Sequence, residues 1–310
     1  MGKFGTGQAI RRKEDQRFLT GTGRYTDDIT LPDQAYLYVF RSPYPHGAIT
    51  TLDIDDAKRS PGVIAVYTAA DLANAGINDV VGAAMPGSSL SAANAALEQP
   101  PLARDRVRYV GEPVAAVVAE SIAAAKDAAE LIWLDVDELD AVVTIESAMS
   151  DGAITIHDSA PGNSYGFLEY GNRAKTEDLF AAAAHVVAID VVNNRLAPTA
   201  MEPRGCNIQW DGDTLTVYQG CQSVHVLRDR LAKSVNLDTD SIHFISPDVG
   251  GAFGLKFFLQ CETVVTAFAA MDLGRPVKWI ADRNESFLSD LHGRDHLSHA
   301  EFALDADGRN

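Results

Sequence analysis

Three glycines in five residues mark the place in this sequence where side chains give way to bare backbone. Within Ser246–Lys256 (SPDVGGAFGLK), Gly250, Gly251 and Gly254 surround Ala252 and Phe253. A run with so little side chain lets main-chain N–H groups close on a ligand, most naturally an oxyanion. The strongly apolar helix expected to follow at once over Phe257–Met271 would add orphan N–H groups and a positive dipole end. The spacing is neither GxGxxG nor a Walker loop with its Lys-Ser/Thr ending. The motif alone therefore leaves a tight structural loop, a phosphate cradle and a cofactor loop all open.

Other residue types that could do chemistry carry less. His292, His296 and His299 are spaced like a metal trio, but HxxxH without the intervening glutamate is not a zincin, and a structural or surface role is the expectation. Cys206, Cys221 and Cys261 are odd in number and far apart, which suggests neither a disulfide framework nor a CxxC metal site, nor an iron–sulfur cluster held by this chain alone. Cys221 reads as a small, buried apolar residue. Glu202 and Arg204 in MEPRG are either functional beside a cavity or a buried ion pair, and Asp27-Asp28 reads as turn chemistry. The balance of 26 Lys+Arg against 43 Asp+Glu gives −17. That argues against nucleic acid or an anionic membrane surface and for protein or small-molecule partners. No apolar stretch follows Arg11-Arg12 as an export signal requires, and no run approaches the roughly 20 apolar residues of a membrane span, so the cytoplasm is the expected location.

The elements that must position these residues suggest two α/β units, since 310 residues exceed one ordinary core. Strands are expected at Ala35–Arg41 and Ala48–Ile54, as neighbours across the Pro43/Pro45 loop, and at Val63–Tyr67, Val107–Val110 and Val114–Ala119, the last fully buried. Helices are expected at Ala69–Ala75 and, capped by Ser121, at Ile122–Leu131. Gly82–Pro101 has no period and reads as a long loop. The second unit predicts a helix at Thr176–Ala184 and a strand at His185–Asn193. A hairpin at Asn207–Tyr218 turns on Asp211-Gly212-Asp213. Then come a helix at Ser223–Val235, strands at Ser241–Ile245 and Val277–Ala281, and a helical turn at Arg283–Leu288. His299–Leu304 alternates like a strand, and DADGRN after it is hairpin-turn chemistry with no following strand. That ending predicts a fragment of a longer protein, or one piece of a split one.

The order of seven motifs gives a resemblance: RRKEDQRFLTGTGRYTDDI, RSPYPHGAI, VRYVGEPVAAVVAES, APTAMEPRG, QSVHVLRDRLA, PDVGGAFGLK and GRPVKWIADRNESFLS. Over essentially its whole length the chain resembles the N-terminal part of the large, molybdenum-binding subunit of the molybdenum hydroxylases, the family of xanthine dehydrogenase, aldehyde oxidase and carbon monoxide dehydrogenase. The resemblance implies an α+β fold: a lead-in at 1–20, an α/β-hammerhead domain at 21–145, a linker at 146–175 and, at 176–310, the first part of a molybdopterin-binding domain.

On residues, the resemblance implies that a glutamine preceding the helix at 223–235 hydrogen-bonds an oxo ligand of molybdenum. Gln222 is the candidate, with Gln219 as the competing reading. Gly250, Gly251, Ala252, Phe253 and Gly254 would approach the cofactor with main-chain amides. No side chain ligates the metal in this family, whose molybdenum is held by molybdopterin, here expected in a dinucleotide form. Iron–sulfur clusters and FAD are expected only on partner chains. Purine-oxidising members carry glutamate after the loop lysine, whereas Phe257 follows Lys256 here, which disfavours a xanthine-type substrate. The general base and the remaining cofactor-binding region are expected beyond residue 310, so the chain alone is expected to be inactive. The alternative is a non-catalytic assembly module or truncated remnant that docks partner subunits without cofactor.

Overall fold

The strand expected to be fully buried, Val114–Ala119, is found over Pro113–Ala119 and is buried at all seven positions in the computed structural model, which describes residues 7, 9, 11–81, 98–164 and 169–309. The first half contains α1 (Asp15–Leu19), β1 (Ala35–Arg41), β2 (Gly47–Asp53), α2 (Asp55–Arg59), β3 (Val63–Thr68), α3 (Ala69–Asn74), β4 (Val80–Val81), β5 (Glu98–Gln99), β6 (Arg106–Val107), β7 (Pro113–Ala119), α4 (Ile122–Ala129), β8 (Trp133–Glu138) and α5 (Ile145–Met149). The second contains α6 (Arg173–Ala182), β9 (His185–Asn193), β10 (Gly205–Trp210), β11 (Leu215–Tyr218), α7 (Val224–Val235), β12 (Ile242–Ile245), α8 (Cys261–Leu273), β13 (Val277–Ile280), α9 (Arg283–Ser289) and β14 (His296–Leu304). Most of the loop expected at Gly82–Pro101 falls outside the described residues; the strands flanking it, β4 and β5, pair antiparallel.

One seven-stranded sheet, in the order β12-β11-β10-β13-β1-β7-β3, draws on both halves. The joint is β1 against β13, parallel in the register Ala35↔Val277. A core shared by both halves lies against one face of this sheet, with Leu37 and Val118 from the first half packed with Ile208, Leu227, Val264 and Trp279 from the second. Burying each such aliphatic side chain stabilises the fold by about 1.5–3 kcal/mol. Helix α4 lays Ala125, Ala128 and Ala129 on the other face, beside Val66 and Val117, and the Ser121 hydroxyl caps it by accepting from Ala124 N–H. Helix α7 buries Leu227, Leu231 and Val235 and stops at Asn236, which takes the left-handed conformation.

Four expectations change. β1 and β2 are not neighbours, because both edges of β1 are occupied by β7 and β13; β2 lies instead between β6 and β8 in a three-stranded sheet. The strand expected at Val107–Val110 shrinks to β6. The apolar helix begins at Cys261 and not at Phe257, since Leu255–Phe257 form a 3-10 turn that buries Leu255 and Lys256 before the chain enters α8. Finally, the strand expected at His299–Leu304 begins earlier, at His296, and as β14 pairs antiparallel with β9 over nine residues, His296↔Asn193 to Leu304↔His185. The turn chemistry of DADGRN holds, with the Asp305 carboxylate accepting from Asp307 and Arg309 N–H. Among the described residues no helix is long and apolar enough to cross a membrane.

Candidate functional site

The glycine loop leaves β12 and turns back on itself through three positive φ angles: Gly251 at +99°, Phe253 at +52° and Gly254 at +91°. For the two glycines this is free of steric penalty, whereas for Phe253 it is a strained conformation that surrounding contacts must hold. Phe253 is 73% exposed. At the loop's two ends the amides are taken by side chains: Gly250 N–H donates to Glu202 Oε2 at 2.8 Å and Gly254 N–H to Gln222 Oε1 at 2.9 Å. Between them, the N–H groups of Gly251, Ala252 and Phe253 have no hydrogen-bond partner among the described residues. Three successive free donors at alternating φ make a nest for an anionic or lone-pair-bearing group. Because α8 starts only at Cys261, this capacity belongs to the loop amides and not to a helix terminus.

Gln222 is exposed and lies against this nest, also anchored through its own N–H to the Lys256 carbonyl at 3.0 Å. Since Gly254 N–H must meet an acceptor, the Gln222 carbonyl oxygen faces it, and Nε2 is left as a donor. Gln219 is elsewhere: it is buried, and its Oε1 accepts from the Thr263 hydroxyl at 3.1 Å. Lys256, the cation of the loop, is only 3% exposed and donates to Glu202 Oε2 at 2.7 Å. Its charge is thus neutralised behind the loop, unlike the free lysine of a phosphate cradle.

The other candidates take structural positions. Arg204 is fully bonded, to Asp290 Oδ1 at 2.6 Å, Glu262 Oε2 at 2.8 Å and the Ser289 hydroxyl. Glu262 also receives Arg41 at 2.7 Å. Burial alone would raise the Glu262 carboxyl, but Arg204 and Arg41 outweigh it and hold it at about 2. His299 sits on the exposed β9–β14 ribbon, where a bond to Asp190 raises its pKa. Among the described residues no three His, Cys, Asp or Glu side chains come together as metal ligands. Asp28 caps the turn at Thr26 through Tyr25 N–H, and Asp27 pairs with Lys278. All three cysteines are free, and burial raises the thiol of the half-buried Cys221.

Residues not singled out from the sequence also converge here. Asp248 binds Arg17, accepts from Arg24 N–H at 2.7 Å, and donates its own N–H to the Arg24 carbonyl. The N-terminal motif therefore braces the glycine loop. The only signal available was Asp248 itself, the one carboxylate in the loop.

Comparison with known proteins adds to this geometry. Residues 20–140 match the model of the aldehyde oxidase and xanthine dehydrogenase a/b hammerhead domain, and residues 156–309 that of the molybdopterin cofactor-binding domain. The chain belongs to the molybdenum hydroxylase family. Within it, the chain is similar to the nicotine 6-hydroxylase large subunit of Paenarthrobacter nicotinovorans, 34% identical over 98% of this chain and 36% of that one. It is also similar to the carbon monoxide dehydrogenase large chain of Hydrogenophaga pseudoflava, 32% identical over 96% of this chain and 37% of that one. Among solved structures, quinoline 2-oxidoreductase from Pseudomonas putida 86 superposes with a TM-score of 0.86 at 34% identity, covering 98% of this chain and 38% of that one. The chain thus spans little more than a third of the length of these relatives. The α+β hammerhead-plus-cofactor-domain architecture is that of the family, and the glycine loop and Gln222 both lie in the segment matched by its cofactor-binding domain.

Proposed function

We propose that this chain supplies a hammerhead domain (21–145), a linker (146–175) and the first part of a molybdopterin-binding domain (176–310) to the molybdenum-binding subunit of an oxidoreductase. In this reading the assembled enzyme oxidises a C–H carbon, or carbon monoxide, with oxygen drawn from water. Electrons leave through partner chains that carry iron–sulfur clusters and FAD, and the complex is cytoplasmic, in keeping with its free thiols. The observation that carries the reading is the set of three unpartnered amides, Gly251 to Phe253, beside the free Nε2 donor of Gln222.

When bound, a molybdenum–molybdopterin group in dinucleotide form supplies two-electron redox chemistry and the transfer of a water-derived oxygen. Toward that group, the amides of Gly251, Ala252 and Phe253 would act as main-chain donors, and Gln222 Nε2 would supply a side-chain donor beside them. Gly254 N–H orients the Gln222 amide by occupying its oxygen. Such preorganised donors need no rearrangement as charge develops, which is why they favour a charged state more than water does. Glu202 and Lys256 neutralise each other below the loop, so they leave the nest's partial positive charge unopposed. The general base belongs to the region of the subunit beyond this chain, and a phenylalanine, Phe257, in the position after Lys256 disfavours a purine substrate.

The test is co-expression with the remaining cofactor-binding region and the partner chains, followed by metal analysis and turnover with aldehydes and N-heterocycles. Stoichiometric molybdenum with turnover is expected from the complex, and none from the chain alone. An active complex free of molybdenum would sink the reading. The second reading, a non-catalytic module that docks partners, is favoured by the β9–β14 ribbon, which exposes Val187, Ile189, Val192 and Phe302. An inactive, metal-free but stable complex would select it.

A further inference from the structure

Glu202 holds both polar groups of Gly250. Its N–H donates to the Gly250 carbonyl at 3.1 Å, and its Oε2 accepts from Gly250 N–H at 2.8 Å. The same Oε2 receives Lys256 Nζ at 2.7 Å, and Oε1 lies 3.4 Å from Thr26 N of the N-terminal segment. The side chain is sandwiched between two glycines far apart in sequence, Gly220 and Gly250. A Cβ on Gly250 would lie 2.6 Å from Glu202 Cβ, and one on Gly220 would lie 3.3 Å from Oε2. Its own segment is fixed in turn: Arg283 donates to the carbonyls of Ala200 and Met201, and Thr199 is held at φ +47°. A β-branched residue at that angle is strained and persists only under such constraint.

We propose that Glu202 is the positioning residue of the cofactor loop, clamped by Lys256 so that its carboxylate fixes Gly250 and keeps the following three amides open to the cofactor. The inference rests on the cofactor reading of the loop. The physical reason is entropy: a loop with three glycines has wide conformational freedom, and besides Glu202 the side chains holding it are at its ends, Asp248 on one side and Gln222 on the other. Without an acceptor at position 202 the peptide entering Gly250 loses its side-chain anchor, and a free Gly250 N–H competes for the site that the next three amides frame. The ion pair is the means of placing Oε2; the accepted hydrogen bond is what positions the loop.

Two doubly substituted forms separate positioning from plain structural stabilisation. E202Q/K256M and E202L/K256M both delete the buried charge pair, and only the first keeps an acceptor for Gly250 N–H. The first readout is amide exchange at Gly254, which is bonded to Gln222 and not to Glu202, in the chain without cofactor. The second is molybdenum and pterin bound per large subunit in the assembled complex. With similar melting temperatures, E202L/K256M is expected to exchange at Gly254 roughly tenfold faster than E202Q/K256M, and to retain roughly tenfold less molybdenum, as the loss of one buried acceptor implies. Equal exchange in the two forms overturns the proposal. Should E202L/K256M not fold, the charge-swapped E202K/K256E serves: it keeps opposite charges but offers Gly250 no acceptor at 202, so loop protection is expected to be lost, and its retention overturns the proposal. A wild-type complex without molybdenum would refute the cofactor reading, while the Gly254 exchange still decides the role of Glu202.

Discussion

Arg41 on β1 and Arg204 just before β10 grip the same carboxylate, Glu262 at the start of α8, at 2.7 Å and 2.8 Å. Arg41 belongs to the hammerhead half and the other two to the cofactor-binding half, and all three are almost fully buried. Each arginine also has a buried carboxylate of its own, Arg41 in Glu285 at 3.0 Å and Arg204 in Asp290 at 2.6 Å. Glu262→Gln therefore removes the charge the two share but leaves each one counter-charge, and the expected loss is about 1–3 kcal/mol of stability, from weakened charge-assisted hydrogen bonds in a buried site. Urea denaturation of the variant against wild type measures it; a loss below about 1 kcal/mol would mean that Glu285 and Asp290 suffice for the two arginines.

The Gln222 amide has two jobs, one per atom, and a single substitution separates them. Gln222→Glu keeps an oxygen for Gly254 N–H but removes the Nε2 donor. The melting temperature is expected to stay within a few degrees, since the residue is exposed. Turnover by the assembled molybdenum complex is expected to fall about tenfold or more for one lost donor. Unchanged turnover would transfer the donor role away from Gln222. Buried Gln219, by contrast, is expected to affect stability when changed to Ala, because Thr263 loses its acceptor.

The loop's glycines are expected to differ in why they are glycines. At Gly254 an added Cβ meets open space, so Gly254→Ala carries only the strain of φ +91°, about 1 kcal/mol. At Gly250 the added Cβ would collide with Glu202 Cβ at 2.6 Å, and overpacking of this kind costs about 1–3 kcal/mol as Glu202 is displaced. Thermal melts of the two variants should rank them in that order. The reverse ranking would mean that Glu202 moves aside freely.

What could be read from the sequence was local. The glycine loop, the buried PVAAVVA strand and the Ser121 cap each depend on residues within a few positions of one another, and each is found where its chemistry put it. The β1–β13 pairing, Ala35 against Val277, joins segments some 240 residues apart, and no periodicity encodes which distant edge a strand will choose. The start of α8 was hidden because Leu255–Leu259 is as apolar as the helix itself, and only the burial of Lys256 against Glu202 separates turn from helix. Strand β8 was missed since WLDVDE, with its exposed Trp133 and three acids, looks like a solvated loop. The Arg41–Glu262–Arg204 cluster left a faint mark, lone charges inside apolar runs, which identifies buried charges without naming their partners.

Glu112 in the GEP motif gives the fold a pH dependence whose sign can be stated in advance. It is 3% exposed, and burial raises its carboxyl from the ordinary 4.5 to about 7, against the lowering effect of the Arg108 and Tyr109 N–H groups. Between those two values the native chain keeps a proton that the unfolded chain has released. Stability from this group therefore falls as pH rises from about 4.5 to 7 and is level above that, a total of at most about 3 kcal/mol. Glu112→Gln cannot ionise, retains an acceptor for Arg108 N–H, and is expected to flatten this part of the profile. Relative to wild type the variant should thus gain stability between pH 5 and pH 8, as read from denaturant midpoints at each pH. Parallel profiles for the two proteins would show that Glu112 is ionised in the native chain at pH 5 and that its burial is relieved by water.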